Sequence, residues 1–109
     1  MPLKELLLKQ LVAVAISILM DDGASKSDAK QVVQRKLKIL GREIHPTTAG
    51  NWRAEITAYR QGDWRAATYQ EIWTEWQSRQ RSTTGKRFVD ILLGVELKKL
   101  IHKPTSEIS

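Results

Sequence analysis

The sequence predicts an all-α protein, a compact bundle of about five helices. Three observations favour this fold class. Apolar residues recur at intervals of three and four over most of the chain, which is the spacing of one helix face. Glycine, proline or clustered polar residues separate these segments and leave only short loops. No segment alternates apolar and polar residues long enough to predict a strand.

The 109 residues have the size of one domain. We expect residues 1–102 to form the helical domain and residues 103–109 to form a flexible C-terminal tail. The first helix is predicted over about residues 3–20. Its apolar run at 11–20 is too short for a bilayer, which needs about 20 residues. We therefore expect a buried first helix and no contact with a membrane.

The second and third helices are predicted from their ends. The second covers about residues 28–40, after a capping box that begins with Ser25 or alternatively after Ser27 as the N-cap, and Gly41 ends it. The third covers about residues 48–61 and is capped by one of the two preceding threonines, Thr47 or Thr48. The residues expected to face the core are Val33, Leu37, Leu40, Ala49, Trp52, Ile56 and Tyr59.

The fourth and fifth helices are also predicted from their capping residues. The fourth covers about residues 64–80 and begins after Asp63, or alternatively at the capping box that starts with Thr68. The fifth covers about residues 86–101 and is capped by Thr84. The residues expected to face the core are Tyr69, Ile72, Trp73, Trp76, Phe88, Ile91, Leu92, Val95 and Leu100.

Positive charge is concentrated in two blocks of a chain whose net charge is +6. Residues 26–42 contain six basic side chains against one acidic, and residues 77–109 contain seven against three. The region between them is slightly acidic. Such a charge excess is typical of proteins that meet nucleic acid or an acidic protein surface.

The residue types do not favour an enzyme. The chain has no cysteine, which excludes a thiol nucleophile and cysteine-ligated metal and fits a reducing, cytoplasmic location. The two histidines, His45 and His102, are far apart in sequence, and the carboxylate pair Glu71 and Glu75 is expected to be solvated. The segment 82–87 lacks the glycine spacing of a phosphate-binding loop. We therefore expect neither catalytic residues nor a metal nor a cofactor.

Two basic faces are candidates for contacts with phosphate. The first lies on the second helix, where basic side chains follow a helical spacing away from the apolar stripe. The second surrounds a hydroxyl-rich loop. If Thr84 caps the fifth helix, free backbone N–H groups beside that loop would attract an anion. The candidate residues are Lys30, Arg35, Lys38 and Arg42 in the first face and Arg79, Arg81, Lys86 and Arg87 in the second.

Aromatic residues are concentrated in the middle of the chain, with six of the seven between positions 52 and 76. Aromatic side chains near arginines favour stacking on the bases of single strands. Most of them keep helical spacing, however, which indicates a core position. Trp64 lies off these stripes, so we expect it to be exposed and available for function.

Residues 40–52 resemble the middle of a helix-turn-helix motif. In such a motif the second helix supports a third helix that reads the major groove. The resemblance implies a DNA-binding transcriptional regulator. The residues that it would place in the groove are Thr47, Thr48, Asn51 and Arg53.

The whole chain also resembles the small subunits of multisubunit CRISPR effector complexes, in size, helical character and its two basic blocks. Those subunits are basic, all-helical and non-catalytic, and they hold nucleic-acid backbone without reading sequence. The resemblance implies a subunit of a ribonucleoprotein assembly that binds RNA or DNA backbone and contacts other protein subunits or copies of itself. This is the leading hypothesis. The alternatives are the helix-turn-helix regulator and a helical adaptor for acidic proteins.

Overall fold

The computed structural model describes residues 3–97 and residue 99. Five α-helices confirm the predicted all-α bundle, and the described residues include no strand. A 3₁₀ helix precedes the fourth helix, and a π-helical turn follows the fifth. The positions predicted for Leu100, His102 and the tail at 103–109 lie outside the described residues. The helices are α1 (Leu3–Asp21), α2 (Lys26–Ile39), α3 (Pro46–Thr57), α4 (Ala67–Arg79) and α5 (Gly85–Leu92), with the 3₁₀ helix at Trp64–Ala66 and the π-helical turn at Leu93–Leu97.

Helix α1 is the central element of the bundle. The stretch from Leu11 to Leu19 is buried at every position, and all four other helices contact α1. A helix that is apolar on all sides is stable when neighbours cover all of its sides. The predicted buried first helix is therefore confirmed, although Leu3 in the first turn is exposed. Among the described helices, none is long and apolar enough to cross a bilayer.

The outer helices surround α1 in the order α3, α2, α5, α4. Helix α2 contacts α3 on one side and the π-helical turn on the other. Helices α4 and α5 meet through Trp76 and Phe88, whose rings pack edge to face at 5.5 Å between centroids. The 3₁₀ helix contacts both α3 and α4. This order places α2 beside α5, so the two basic blocks of the sequence come onto neighbouring helices.

The starts of α2 and α5 follow the predicted caps, whereas α4 begins at Ala67 with no side-chain cap. Ser25 Oγ accepts the Asp28 N–H at 3.1 Å, and Thr84 caps α5 in the same way. Asp63 caps the 3₁₀ helix. Helix α3 begins earlier than expected: His45 Nδ1, rather than a threonine, accepts the Thr47 N–H at 3.1 Å. Proline at the first helical position already has the required φ, which explains the earlier start.

Two carboxylates at the end of α1 connect it to α4 and α5. Asp21 Oδ2 accepts hydrogen bonds from Trp76 Nε1 at 2.9 Å and from Gln80 Nε2 at 2.7 Å. Asp22 Oδ2 accepts the Gly85 N–H at 2.8 Å. Both side chains are exposed at the surface, yet they join helices that are distant in sequence.

The core departs from the predicted stripes mainly at α5. Val89 and Leu93 are buried, whereas Ile91 and Val95, which were expected to face inward, are 59% and 49% exposed. Ile91 follows the buried Val89 by two positions, which places it on the opposite side of an α-helix. Val95 lies in the π-helical turn, which contains more residues than an α turn and therefore shifts its residues around the helix. Trp76 is fully buried, and the remaining predicted core aromatics are half-buried. These are Trp52, Tyr59, Tyr69, Trp73 and Phe88.

Candidate nucleic-acid interface

The two basic blocks of the sequence meet where α2 lies beside α5. Lys36 of α2 forms an ion pair with Asp90 of α5. Burial lowers the pKa of Lys36, and the nearby positive charges of Lys86 and Arg35 lower it further. Lys86 therefore lies close enough to Lys36 for the two charges to repel. We call the surface formed by Arg35, Lys36 and Lys86 the basic seam.

The exposed face of α2 continues from the basic seam. Lys38 is exposed, and its Nζ lies 3.7 Å from Glu43 Oε1. Arg42 is half-buried, and its Nη2 lies 3.5 Å from Glu5 Oε1. Exposed pairs of this kind contribute about 0–1 kcal/mol. A phosphate can therefore displace either carboxylate at little cost, and both cations stay available for binding.

Two lysines of α2 occupy positions that differ from the sequence prediction. Lys30 extends along α3, where a Cβ built on Gly50 would lie 3.2 Å from Lys30 Cδ. It is therefore separated from the α5 side of the helix. Lys36 was not among the predicted site residues, yet it is at the centre of the basic seam. In the sequence, the position of Lys36 next to Leu37 indicates only that Lys36 flanks the apolar stripe. Side chains in such flanking positions face a neighbouring helix.

The second basic block borders a cleft of about 530 Å³ between α5 and the loop that precedes it. Arg79 and Arg87 lie at its rim, and the Arg79 Nε is 2.6 Å from Glu75 Oε1. Arg81 is exposed in the same loop. We call this cavity the cationic cleft. Its lining residues are Arg79, Ser82, Thr83, Arg87, Phe88, Ile91, Leu92, Val95 and Glu96.

The start of α5 is not an open anion site. The Gly85 N–H donates to Asp22 and the Arg87 N–H donates to Thr84 Oγ1. Two of the predicted free N–H groups are thus engaged, and the Asp22 carboxylate already supplies negative charge there. The two basic residues that follow diverge: Lys86 lies toward α2, and Arg87 lies toward the cationic cleft. A phosphate at the start of α5 would therefore contact the side chains of Lys86 and Arg87.

The residues that resemble a recognition helix do not share one exposed face. Asn51 and Thr47 are exposed, and Thr48 is half-buried. Arg53 Nε donates to Ser17 Oγ of α1 at 2.9 Å, and the Tyr69 hydroxyl donates to the same oxygen at 2.9 Å. Arg53 therefore faces the centre of the bundle, which corrects its predicted position on the outer face of α3.

A second cavity, of about 500 Å³, lies between the end of α3 and α4. None of its lining residues is charged. Trp64, although 69% exposed as predicted, does not line it. We call this second cavity the aromatic cleft. Its walls are formed by Tyr59, Tyr69 and Trp73 together with Ile56, Thr57, Gln61, Gln70, Thr74 and Gln77.

No group of three histidine or acidic side chains within the described residues is placed to hold a metal ion. The candidate interface consists of cationic side chains on exposed helix faces, one amphipathic cleft and one neutral aromatic cleft. Comparison of the chain with models of protein families, with curated proteins and with solved structures finds no match.

Proposed function

We propose that this chain is a non-catalytic protein that binds the phosphate backbone of nucleic acid at the basic seam and along the adjoining face of α2. The observation that carries the proposal is the crowding of like charge. Lys86 and Arg35 act on Lys36 as repulsive charges, and within the described residues Asp90 is the acidic group paired with it. A backbone phosphate at the seam would be attracted by all three cations and would release its counterions on binding.

The same geometry supports backbone contact rather than base reading. Arg35 and Lys38 are exposed on α2 and Arg42 lies in the loop that follows it, so the three are separate cations, which suits a row of phosphates. Base reading on α3 would need Arg53, which is hydrogen-bonded to Ser17 instead. The helix-turn-helix alternative is therefore less well supported than a backbone-binding protein.

We further propose that the protein works as a small subunit of a larger assembly, of the kind found in multisubunit CRISPR effectors, in the cytoplasm. Three large apolar side chains are exposed on α2 and on α5 with its π-helical turn: Ile39, Ile91 and Val95. Exposed apolar patches commonly mark protein contacts. Ile91 and Val95 line the cationic cleft, which contains no residue of the basic seam. Protein neighbours that cover these two residues would leave the basic seam free for nucleic acid.

The direct test is a set of single charge reversals. Lys86→Glu and Arg35→Glu are expected to weaken binding of a labelled single strand and of a random-sequence duplex several-fold at low salt. Lys4→Glu changes the net charge equally, but it lies exposed at the start of α1, and its affinity is expected to match that of the wild type. An equal loss in all three variants would contradict a site at the basic seam.

Salt dependence measures the number of phosphates contacted. With about four contacts, log affinity against log salt is expected to have a slope near −3 to −4. Each charge reversal in the basic seam should reduce that slope by about 1. A salt-independent affinity would contradict the proposal.

A helical adaptor for acidic proteins is the second candidate, and the cationic cleft is the observation that favours it. Arginines at its rim and apolar side chains at its floor would suit an amphipathic acidic segment. If the protein binds none of the nucleic acids at low salt, the backbone proposal fails and the adaptor becomes the better interpretation.

A further inference from the structure

We infer that the aromatic cleft binds an unpaired nucleobase, so that the nucleic acid held by this protein is single-stranded where it meets α3 and α4. The inference rests on the proposed function and adds to it a base contact and a preference between strand types. It depends on the chemistry of the cleft walls, on their polar edges and on their rigidity.

Three aromatic rings line the cleft among polar, uncharged side chains. Tyr69 and Trp73 lie nearly parallel, with 6.5 Å between ring centroids and 10° between planes. Tyr59 is covered on one face by the guanidinium of Arg65, 4.2 Å from the ring centroid. In a chain with a net charge of +6, a cavity with no charged lining residue favours a neutral, planar group. Nucleobases are such groups, and they stack on aromatic side chains.

The polar edge of the cleft offers both donors and acceptors. Gln61 and Gln77 each carry an amide, which donates and accepts, and neither is hydrogen-bonded to another described residue. The Thr74 hydroxyl donates to the Gln70 carbonyl at 2.9 Å, so its oxygen remains an acceptor. A base edge carries donors and acceptors side by side. A phosphate or carboxylate carries acceptors alone and would leave the acceptors of the cleft unpaired.

The cleft is held in shape by bonds that do not involve a ligand. The Gly62 N–H donates to Gln70 Oε1 at 3.0 Å, and Gln70 Nε2 donates to the Arg60 carbonyl at 3.1 Å. Asp63 holds Arg65 over Tyr59 through two side-chain hydrogen bonds of 3.1 and 2.8 Å. Because these groups are already ordered, a base entering the cleft loses less binding energy to conformational entropy.

A base in a duplex is paired and stacked, and reaching the cleft would require it to flip out at an energetic cost. A base in a single strand is free to enter. The aromatic cleft is therefore expected to favour single strands over duplexes of the same phosphate charge, whereas the basic seam would hold either.

The test compares a single strand of thymidines with an abasic strand of the same length, because both carry the same phosphates. The wild type is expected to bind the thymidine strand roughly tenfold more tightly. Trp73→Leu should remove this difference, whereas Trp64→Leu, which changes an exposed tryptophan outside the cleft, should retain it. Gln77→Ala changes an exposed side chain and should reduce the difference several-fold even if Trp73→Leu folds poorly.

The outcomes separate this inference from the proposed function. Lys86→Glu is expected to weaken both strands and to keep their ratio. If the wild type binds the thymidine and abasic strands equally while Lys86→Glu weakens both, base binding is overturned and the backbone proposal stands. If neither strand binds, the backbone proposal fails. Titration of the protein with free thymidine then shows whether the aromatic cleft binds a base. A shift of the Trp73 indole N–H signal in an NMR spectrum would support base binding, and an unchanged signal would overturn it.

Discussion

The Asp22 carboxylate lies against the first residue of α5, where its Oδ2 accepts the Gly85 N–H at 2.8 Å. A Cβ at position 85 would lie 2.7 Å from Asp22 Cβ, so only glycine permits this approach. The bond connects the end of α1 to the start of α5. It thereby fixes the position of Lys86, the next residue, beside Lys36 in the basic seam.

Gly85→Ala is expected to lower the free energy of unfolding by about 1–3 kcal/mol, because the added methyl group overlaps Asp22. The loss should be smaller in an Asp22→Gly background, which has no Cβ to overlap, with a coupling of about 0.5–3 kcal/mol. Urea denaturation measures both. Gly50→Ala is the control: its methyl group meets only the flexible stem of Lys30 and should stabilise α3 by up to about 1 kcal/mol. Destabilisation by both alanines would contradict the steric explanation.

Trp76 is expected to be the most important aromatic residue for stability. It is 1% exposed, packs edge to face against Phe88 and donates to Asp21. Trp76→Ala should therefore cost about 3–5 kcal/mol of unfolding free energy. Trp64→Ala, at an exposed position, should stay within about 0.5 kcal/mol of the wild type. Chemical denaturation measures the free energy of unfolding of both variants. Similar losses in the two variants would contradict the buried position of Trp76 in α4.

Ser17→Ala is expected to destabilise the bundle by about 1–3 kcal/mol, because Arg53 and Tyr69 would both lose the oxygen to which they donate. Arg53→Ala should likewise lower stability without changing any preference among duplex sequences. Thermal unfolding and competition binding measure the two effects. A selective loss of sequence preference in Arg53→Ala would instead favour the helix-turn-helix regulator.

The contact between Asp63 and Arg65 predicts a dependence on acid pH. Hydrogen bonds from the Arg65 side chain and backbone lower the pKa of Asp63 from 3.8 to about 2. The folded state therefore binds this proton less readily than the unfolded state, so the contact stabilises the fold above pH 3.8 and is lost as the pH falls through about 2. Carboxyl NMR titration of the native protein measures the midpoint. A midpoint near 3.8 would contradict the contact.

Local signals in the sequence predicted two helix starts. Ser25 and Thr84 cap the helices that they were expected to cap, because an N-cap bond joins residues only two or three positions apart. Asp63 instead caps the short 3₁₀ helix, and α4 begins at Ala67 without a side-chain cap. Helix α3 ends at Thr57 rather than near residue 61. The start of α3 was missed since a histidine cap followed by proline is a less common signal. Val95 was placed inside because the prediction assumed α-helical spacing, and the π-helical turn changes that spacing.

The site was only partly predictable, because its arrangement depends on which helices become neighbours. Charge alone identified both basic blocks. Arg42 contacts Glu5 and Lys36 contacts Asp90, and each contact joins segments that are distant in sequence. Periodicity within one helix carries no information about such contacts. The aromatic cleft was missed for the same reason, since its walls come from two helices and the loop between them.

The central position of α1 has a consequence for synthesis of the protein. This helix is translated before α2, α3, α4 and α5, yet all four are needed to cover it. A nascent chain that has completed α3 still exposes the sides of α1 that α4 and α5 will occupy, and exposed apolar surface of this kind promotes aggregation. The ribosome-bound chain should therefore depend on chaperone shielding until α5 emerges, and truncations that remove α5 should accumulate as insoluble protein.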